Sequence, residues 1–161
     1  MKIYIVRHAW AEDQDETKYP DDDLRPLSRK GRKRFRRLAR KLAKRGCDVA
    51  RIATSPLVRC RQTADILADY LASEAVIVEL DALRPGSRVE PLLEWTRQQQ
   101  GQDVAWVGHA PDVGGLTAAL IGESAAIEFD KGAVAAVEFS DPPAAGRGVL
   151  RWLAVAELLK C

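Results

Sequence analysis

The chain has 161 residues, 47% of them hydrophobic and 30% charged, with a formal net charge of +2. That size and balance suit one globular domain, residues 1–161, able to bury a core of its own. No apolar run approaches the roughly 20 residues of a membrane-spanning helix, and the apolar run after Lys2 is too short for a secretory signal. The expectation is a cytoplasmic protein with no membrane contact. The three cysteines, Cys47, Cys60 and Cys161, lack disulfide or zinc spacing. The two histidines lie far apart, so no metal and no cofactor are expected.

Ile3–Val6 reads as a short apolar strand without alternation, the mark of a central strand covered on both faces. It runs directly into Arg7 and His8. A polar loop with Pro20 and Pro26 follows. Ser28 is a natural N-cap for a helix that Gly46 ends. Arg51–Ser55 is a second strand, stopped by Pro56. Residues 58–72 form a second helix, with Ala64, Leu67, Ala68 and Leu71 on one stripe. Residues 75–80 form a third strand, and Pro85 and Gly86 mark a loop. Residues 90–99 form a third helix that turns Leu92, Leu93 and Trp95 inward. Val104–Val107 is a fourth strand ending at Gly108 and His109. A helix over 112–121 stops at Gly122. Segments 133–139 and 149–157, joined through Pro142, Pro143, Gly146 and Gly148, read as an antiparallel hairpin. Strands alternating with helices predict an α/β fold, a three-layer α/β/α sandwich around a mainly parallel sheet of about six strands.

The small net charge hides an asymmetry. Residues 11–23 hold seven acidic residues and one lysine, whereas residues 29–45 hold eleven basic residues and no acid. Phe35, Leu38, Ala39, Leu42 and Ala43 follow the helical repeat, so the basic residues fill the opposite, solvated face. The acidic loop is expected to act as partial counter-charge. The rival reading of the helix is a docking surface for an acidic partner.

In open α/β sheets ligands bind beyond the carboxyl ends of the strands. His8 follows strand one, His109 follows strand four, and Arg59 opens the helix after strand two. The fold thus gathers Arg7, His8, Arg59 and His109 at one edge, beside a helix N-terminus that favours anions. Two guanidinium groups suit a tetrahedral phosphate. A neutral histidine with one free nitrogen can attack phosphorus, and a second can donate to a phosphoryl oxygen. The arginines supply the charge that Mg²⁺ supplies in other phosphoryl-transfer sites.

The ordered motifs IVRHAWAE, LRPLSRKG, SPLVRCRQTA and VGHAPDVGGL resemble the histidine phosphatase superfamily, the phosphoglycerate-mutase-like group, and within it the small SixA-type phosphohistidine phosphatases. The resemblance spans essentially the whole chain. The R-H-G of the family stands here as Arg7-His8-Ala9. The resemblance implies His8 as the phosphorylated nucleophile, Arg7 and Arg59 as phosphate ligands, and His109 as the group completing the pocket. It places Arg25 as an accessory substrate-side residue, with pairing to the acidic stretch as the alternative. Ser55 is expected to cap the second helix.

Larger members of the superfamily carry a general acid on an inserted segment. Residues 76–95 leave little room for such a lid, and Glu79 and Asp81 are the nearest acids. A phosphoramidate relaxes that need, because imidazole leaves with a conjugate-acid pKa of about 6.5. A compact domain without a lid therefore fits a phosphohistidine-bearing protein as substrate, with no nucleic acid and a monomer or weak dimer as the assembly. A small-molecule phosphomonoesterase is the nearest rival. A non-enzymatic binding protein using the basic helix is the rival from another class; no aromatic stacking pattern interleaves the basic stretch to favour it.

Overall fold

In a computed structural model that describes residues 1–71, 76–125 and 127–161, six strands form one mixed sheet. They are β1 (Lys2–Arg7), β2 (Arg51–Thr54), β3 (Val76–Glu79), β4 (Val104–Gly108), β5 (Val134–Glu138) and β6 (Val149–Ala154). Their order is β3-β2-β4-β1-β5-β6. β1 pairs in parallel with β4, as β2 does with β3 and β4. The hairpin expected at the end of the chain is β5–β6, antiparallel, with β5 also antiparallel to β1.

Alternation along the strands divides the core in two. Tyr4, Val6, Ile52, Ala105 and Val107 face α1 (Arg29–Ala43) and α2 (Val58–Leu71). Ile3, Ile5, Ala53, Val104 and Trp106 face α3 (Val89–Arg97) and α4 (Asp112–Ile121). This is the expected three-layer sandwich. β1 and β4 lie at its centre, and for that reason they read as unbroken apolar runs. The element bounds shift by a residue or a few. α1 ends at Ala43 and residues 44–46 wind a further turn to Gly46 at φ 78°. Ala72 and Ala75, the expected ends of α2 and β3, lie outside the described residues.

α1 is amphipathic for the reason its sequence suggests: Gly31, Phe35, Leu38, Ala39 and Leu42 are buried. Ser28 caps it, its Oγ accepting from the Gly31 N–H at 3.0 Å. The same residue ties the helix start to the segment after β1, because the Ser28 N–H donates to the Trp10 carbonyl at 3.0 Å.

The acidic loop does not neutralise this helix. Glu12 pairs with Lys18, Asp22 with Arg25 and Arg59, and Asp23 with Arg84. Among the described residues, none of the basic residues of 29–45 forms a salt bridge. Asp22 and Asp23 are drawn instead to arginines outside the helix.

Gly31 is required by close approach. A Cβ there would overlap the Trp10 carbonyl oxygen and crowd the Trp10 Cβ. Alanine would gain about 1 kcal/mol of helix propensity, but its overlap is with backbone and no rotamer relieves it. Gly31→Ala is expected to lower urea stability by about 1–3 kcal/mol net. Unchanged or raised stability would contradict this packing.

Candidate active site

β1 delivers His8 to the carboxyl edge of the sheet between two clamps. The His8 N–H donates to the Gly108 carbonyl at the end of β4, at 2.9 Å. The His8 carbonyl accepts from the Gly132 N–H, just before β5, at 3.1 Å. The next N–H, that of Ala9, donates to Thr63 Oγ1 on α2 at 3.1 Å, and Thr63 in turn donates to the Arg59 carbonyl at 2.7 Å. Backbone positions around the nucleophile candidate are thus tied to two strands and a helix.

The tautomer of His8 follows from its partner. Nδ1 lies 2.8 Å from the Ala9 carbonyl. A carbonyl only accepts, so Nδ1 carries the proton and Nε2 keeps its lone pair. Burial lowers the His8 pKa to about 4, against the opposing pull of the Ala9 carbonyl and with help from the charges of Arg59, Arg7 and Arg25. His109 is also buried, and its pKa is lowered to about 3 by burial and then by His8 and Arg59. The two rings meet edge to face with centroids 5.4 Å apart. Both imidazoles are neutral at physiological pH.

Both guanidinium groups are anchored by backbone carbonyls, and Arg59 by a carboxylate as well. Arg59, 6% exposed in the first turn of α2, donates from Nη1 to the Asp22 carbonyl at 2.8 Å, and its Nη2 lies 3.0 Å from the Asp22 carboxylate. Arg7 donates from Nη1 to the Phe129 carbonyl at 2.6 Å. The Nε–H groups of Arg7 and Arg59 are buried and have no partner among the described residues. An unsatisfied buried donor costs about 1–3 kcal/mol, more when charged. Two such donors on two guanidiniums that both act on His8 make a cluster suited to an anionic acceptor.

The structure therefore brings together the four residues expected at this edge, and Arg25 with them. Arg25 donates from Nε to Asp22 at 2.7 Å and from Nη1 to the Glu12 carbonyl at 2.8 Å. It is both paired with the acidic stretch and close enough to act on His8. Glu79 is bound to Arg61 at 3.2 Å and Asp81 to Arg84 at 3.0 Å, both on the surface. The carboxylates that act on His109 are Asp23 and Asp22.

The family model described as histidine phosphatase superfamily, branch 1, matches residues 3–86. The chain belongs to the histidine phosphatase superfamily. Phosphohistidine phosphatase SixA of Escherichia coli K12 is 27% identical over 155 residues, covering 94% of this chain and 92% of that one. An uncharacterized protein of Picosynechococcus sp. is 36% identical over 117 residues, covering 71% of this chain and 69% of the relative. A structure of the protein histidine phosphatase SixA complexed with tungstate superposes with a TM-score of 0.86 at 26% identity, covering 99% of both chains.

Two features of this candidate site were not read from the sequence. Ser55 lies only 3.5 Å from the Leu57 N–H, a weak cap, while its Oγ is 2.9 Å from Nε2 of His109. It orients an imidazole more than it caps a helix. Asp22 is the shared partner of Arg59 and Arg25, and Arg25 holds its carboxyl below the usual range. Seven acids in one loop gave no sign which would turn inward.

Unfolded histidine takes its proton at about pH 6.5, and these two resist it to about pH 4 and about pH 3 when folded. Their contribution to stability is therefore complete above about pH 6.5 and is lost as pH falls toward 4. Imidazole NMR is expected to show both rings neutral from pH 8 to about 5, His8 as its Nδ1–H tautomer. The urea midpoint is expected to fall between pH 7 and 5, less so in His8→Gln. Ring titration near pH 6.5 would contradict the desolvation of both rings.

Proposed function

We propose that the chain is a phosphatase that works through a phospho-His8 intermediate and removes phosphate from phosphohistidine on a protein. The observation that carries this reading is the contact of His8 Nδ1 with the Ala9 carbonyl, which leaves Nε2 as the lone-pair nitrogen of a ring acted on by Arg59, Arg7 and Arg25. Nε2 attacks phosphorus, the bond from phosphorus to the substrate's imidazole nitrogen breaks, and the freed imidazole takes up a proton. Water then attacks phospho-His8, giving inorganic phosphate and restoring the imidazole. Arg7 and Arg59 bind the phosphoryl oxygens through their buried Nε–H groups, and His109, oriented by Ser55, donates to the oxygen on which charge develops. Positive charge in the site comes from guanidinium groups, so the chemistry needs no metal.

The substrate class rests on the carboxylates. Glu79 and Asp81 are engaged by Arg61 and Arg84, and Arg25 keeps Asp22 ionised. None is poised to protonate an alkoxide. An imidazole leaving group demands far less of an acid. The similarity to SixA over nearly the whole chain supports the same reading, and tungstate, which that relative binds, is a tetrahedral oxyanion like phosphate.

Phosphate release from a phosphohistidine-bearing protein and from p-nitrophenyl phosphate, both in EDTA, tests the assignment. Wild type is expected to prefer the phosphohistidine, and His8→Ala to lose at least about 10³-fold in kcat. Faster turnover of the monoester would move the substrate to small molecules. Activity unchanged in His8→Ala would overturn the mechanism. Ser55→Ala is expected to fold normally and to lose about tenfold to a hundredfold in kcat, with KM little changed, through misorientation of His109.

A further inference from the structure

The outer face of α1 carries charge that the fold itself does not use. Arg29, Lys30, Lys33, Arg36, Arg37, Arg40 and Lys44 are exposed, and no carboxylate among the described residues pairs with them. Like charges stand at helical neighbours, Arg29 with Lys33, Lys33 with Arg37 and Arg36 with Arg40, and each such pair destabilises a helix by about 0.2–0.5 kcal/mol. The first turn contains no acid, so Arg29 and Lys30 sit at the positive end of the helix dipole, where cations are unfavourable. Helix stability therefore gives no reason for this arrangement.

The position of the face gives one. Ser28 and Gly31 lock the start of α1 against Trp10, two residues beyond His8. The Arg34 guanidinium lies 4.3 Å over the Trp10 ring. Arg34 and Trp10 also line a groove of about 390 Å³ together with Lys131, Asp130, Glu157 and Arg7, the phosphate-clamp arginine. Arg34, on the flank of the cationic face, thus shares a groove with Arg7 at the candidate active edge.

We infer that the exposed face of α1 docks an acidic face of the phosphohistidine-bearing protein and so presents its phosphoryl group to His8. This rests on the function proposed above. A protein fits better than nucleic acid, because the aromatic groups near the face, Trp10 and Phe35, are covered by Arg34 or buried and leave no platform for stacked bases. Attraction to an acidic surface raises the encounter rate and weakens with salt.

The test uses a synthetic helical peptide with one phosphohistidine and a run of glutamates, its Glu→Gln counterpart, and free phosphoramidate. The variant is Lys33→Glu/Arg37→Glu/Arg40→Glu, all outside the catalytic machinery. Wild type is expected to favour the acidic peptide roughly tenfold or more in kcat/KM. The triple variant should lose that preference, keep its phosphoramidate turnover and melt at a higher temperature. About 0.5 M NaCl, where screening acts within about 4 Å, should also remove it. Equal turnover of the two peptides, or parallel losses on peptide and phosphoramidate, would overturn the docking face and leave the phosphatase reading intact. Fluorescence anisotropy with the unphosphorylated peptides separates the reverse case. Salt-sensitive binding of the acidic peptide without any turnover would sink the phosphatase reading and retain the acidic-partner surface, and no binding would sink the surface as well. Tighter binding of a single-stranded oligonucleotide than of the acidic peptide would reassign the face to nucleic acid.

Discussion

Desolvation of two imidazoles, His109 buried and His8 half-buried, beside three arginines is the constraint on which this candidate edge depends. Charge in a low-dielectric cluster is costly, and the residues answer that cost differently. Arginine does not release its proton in a protein, so Arg7 and Arg59 remain cations and draw in Phe129, Asp22 and their carbonyls. Histidine gives up its proton readily, so His8 and His109 are neutral. The same desolvation leaves guanidinium cations beside neutral imidazole nitrogens. The Ala9 carbonyl completes the arrangement by holding the proton on Nδ1.

The rigidity that this requires comes from the middle of the sheet. β1 lies between β4 and β5, and the Gly108 carbonyl and Gly132 N–H continue the two ladders one residue past its end. His8 is therefore held by strand pairing on both sides while its side chain lies beyond the packed core. α2 adds Arg59 from its first turn and reaches back through Thr63 to Ala9. Hydrogen bonds to Asp22 fix the long Arg59 side chain, and such fixing is the condition for a preorganised site.

The acidic loop and the basic helix divide differently from a simple charge balance. Asp22 serves two arginines at the site, and Asp23 serves Arg84. The helix consequently retains its positive face. Local repulsion on α1 is small beside the burial of Phe35, Leu38 and Leu42, so the fold tolerates a surface that its own stability does not favour.

Element type and order were legible in the chain, because periodicity is a local property. The apolar run of β4, the stripe of α1, the Ser28 cap and the stops at Gly46 and Gly122 each follow from neighbours a few residues apart. Topology rules then place His8, Arg59 and His109 at the same edge. Ser55 against His109, Asp22 against Arg59, and the neutral state of both rings were not legible. Those contacts join residues 54 and 37 positions apart, and the protonation state depends on how completely water is excluded. The sequence by itself determined which chemical groups reach the active edge; tertiary packing alone decided their partners, tautomer and charge, because hydrogen bonding and desolvation act through space and not along the chain.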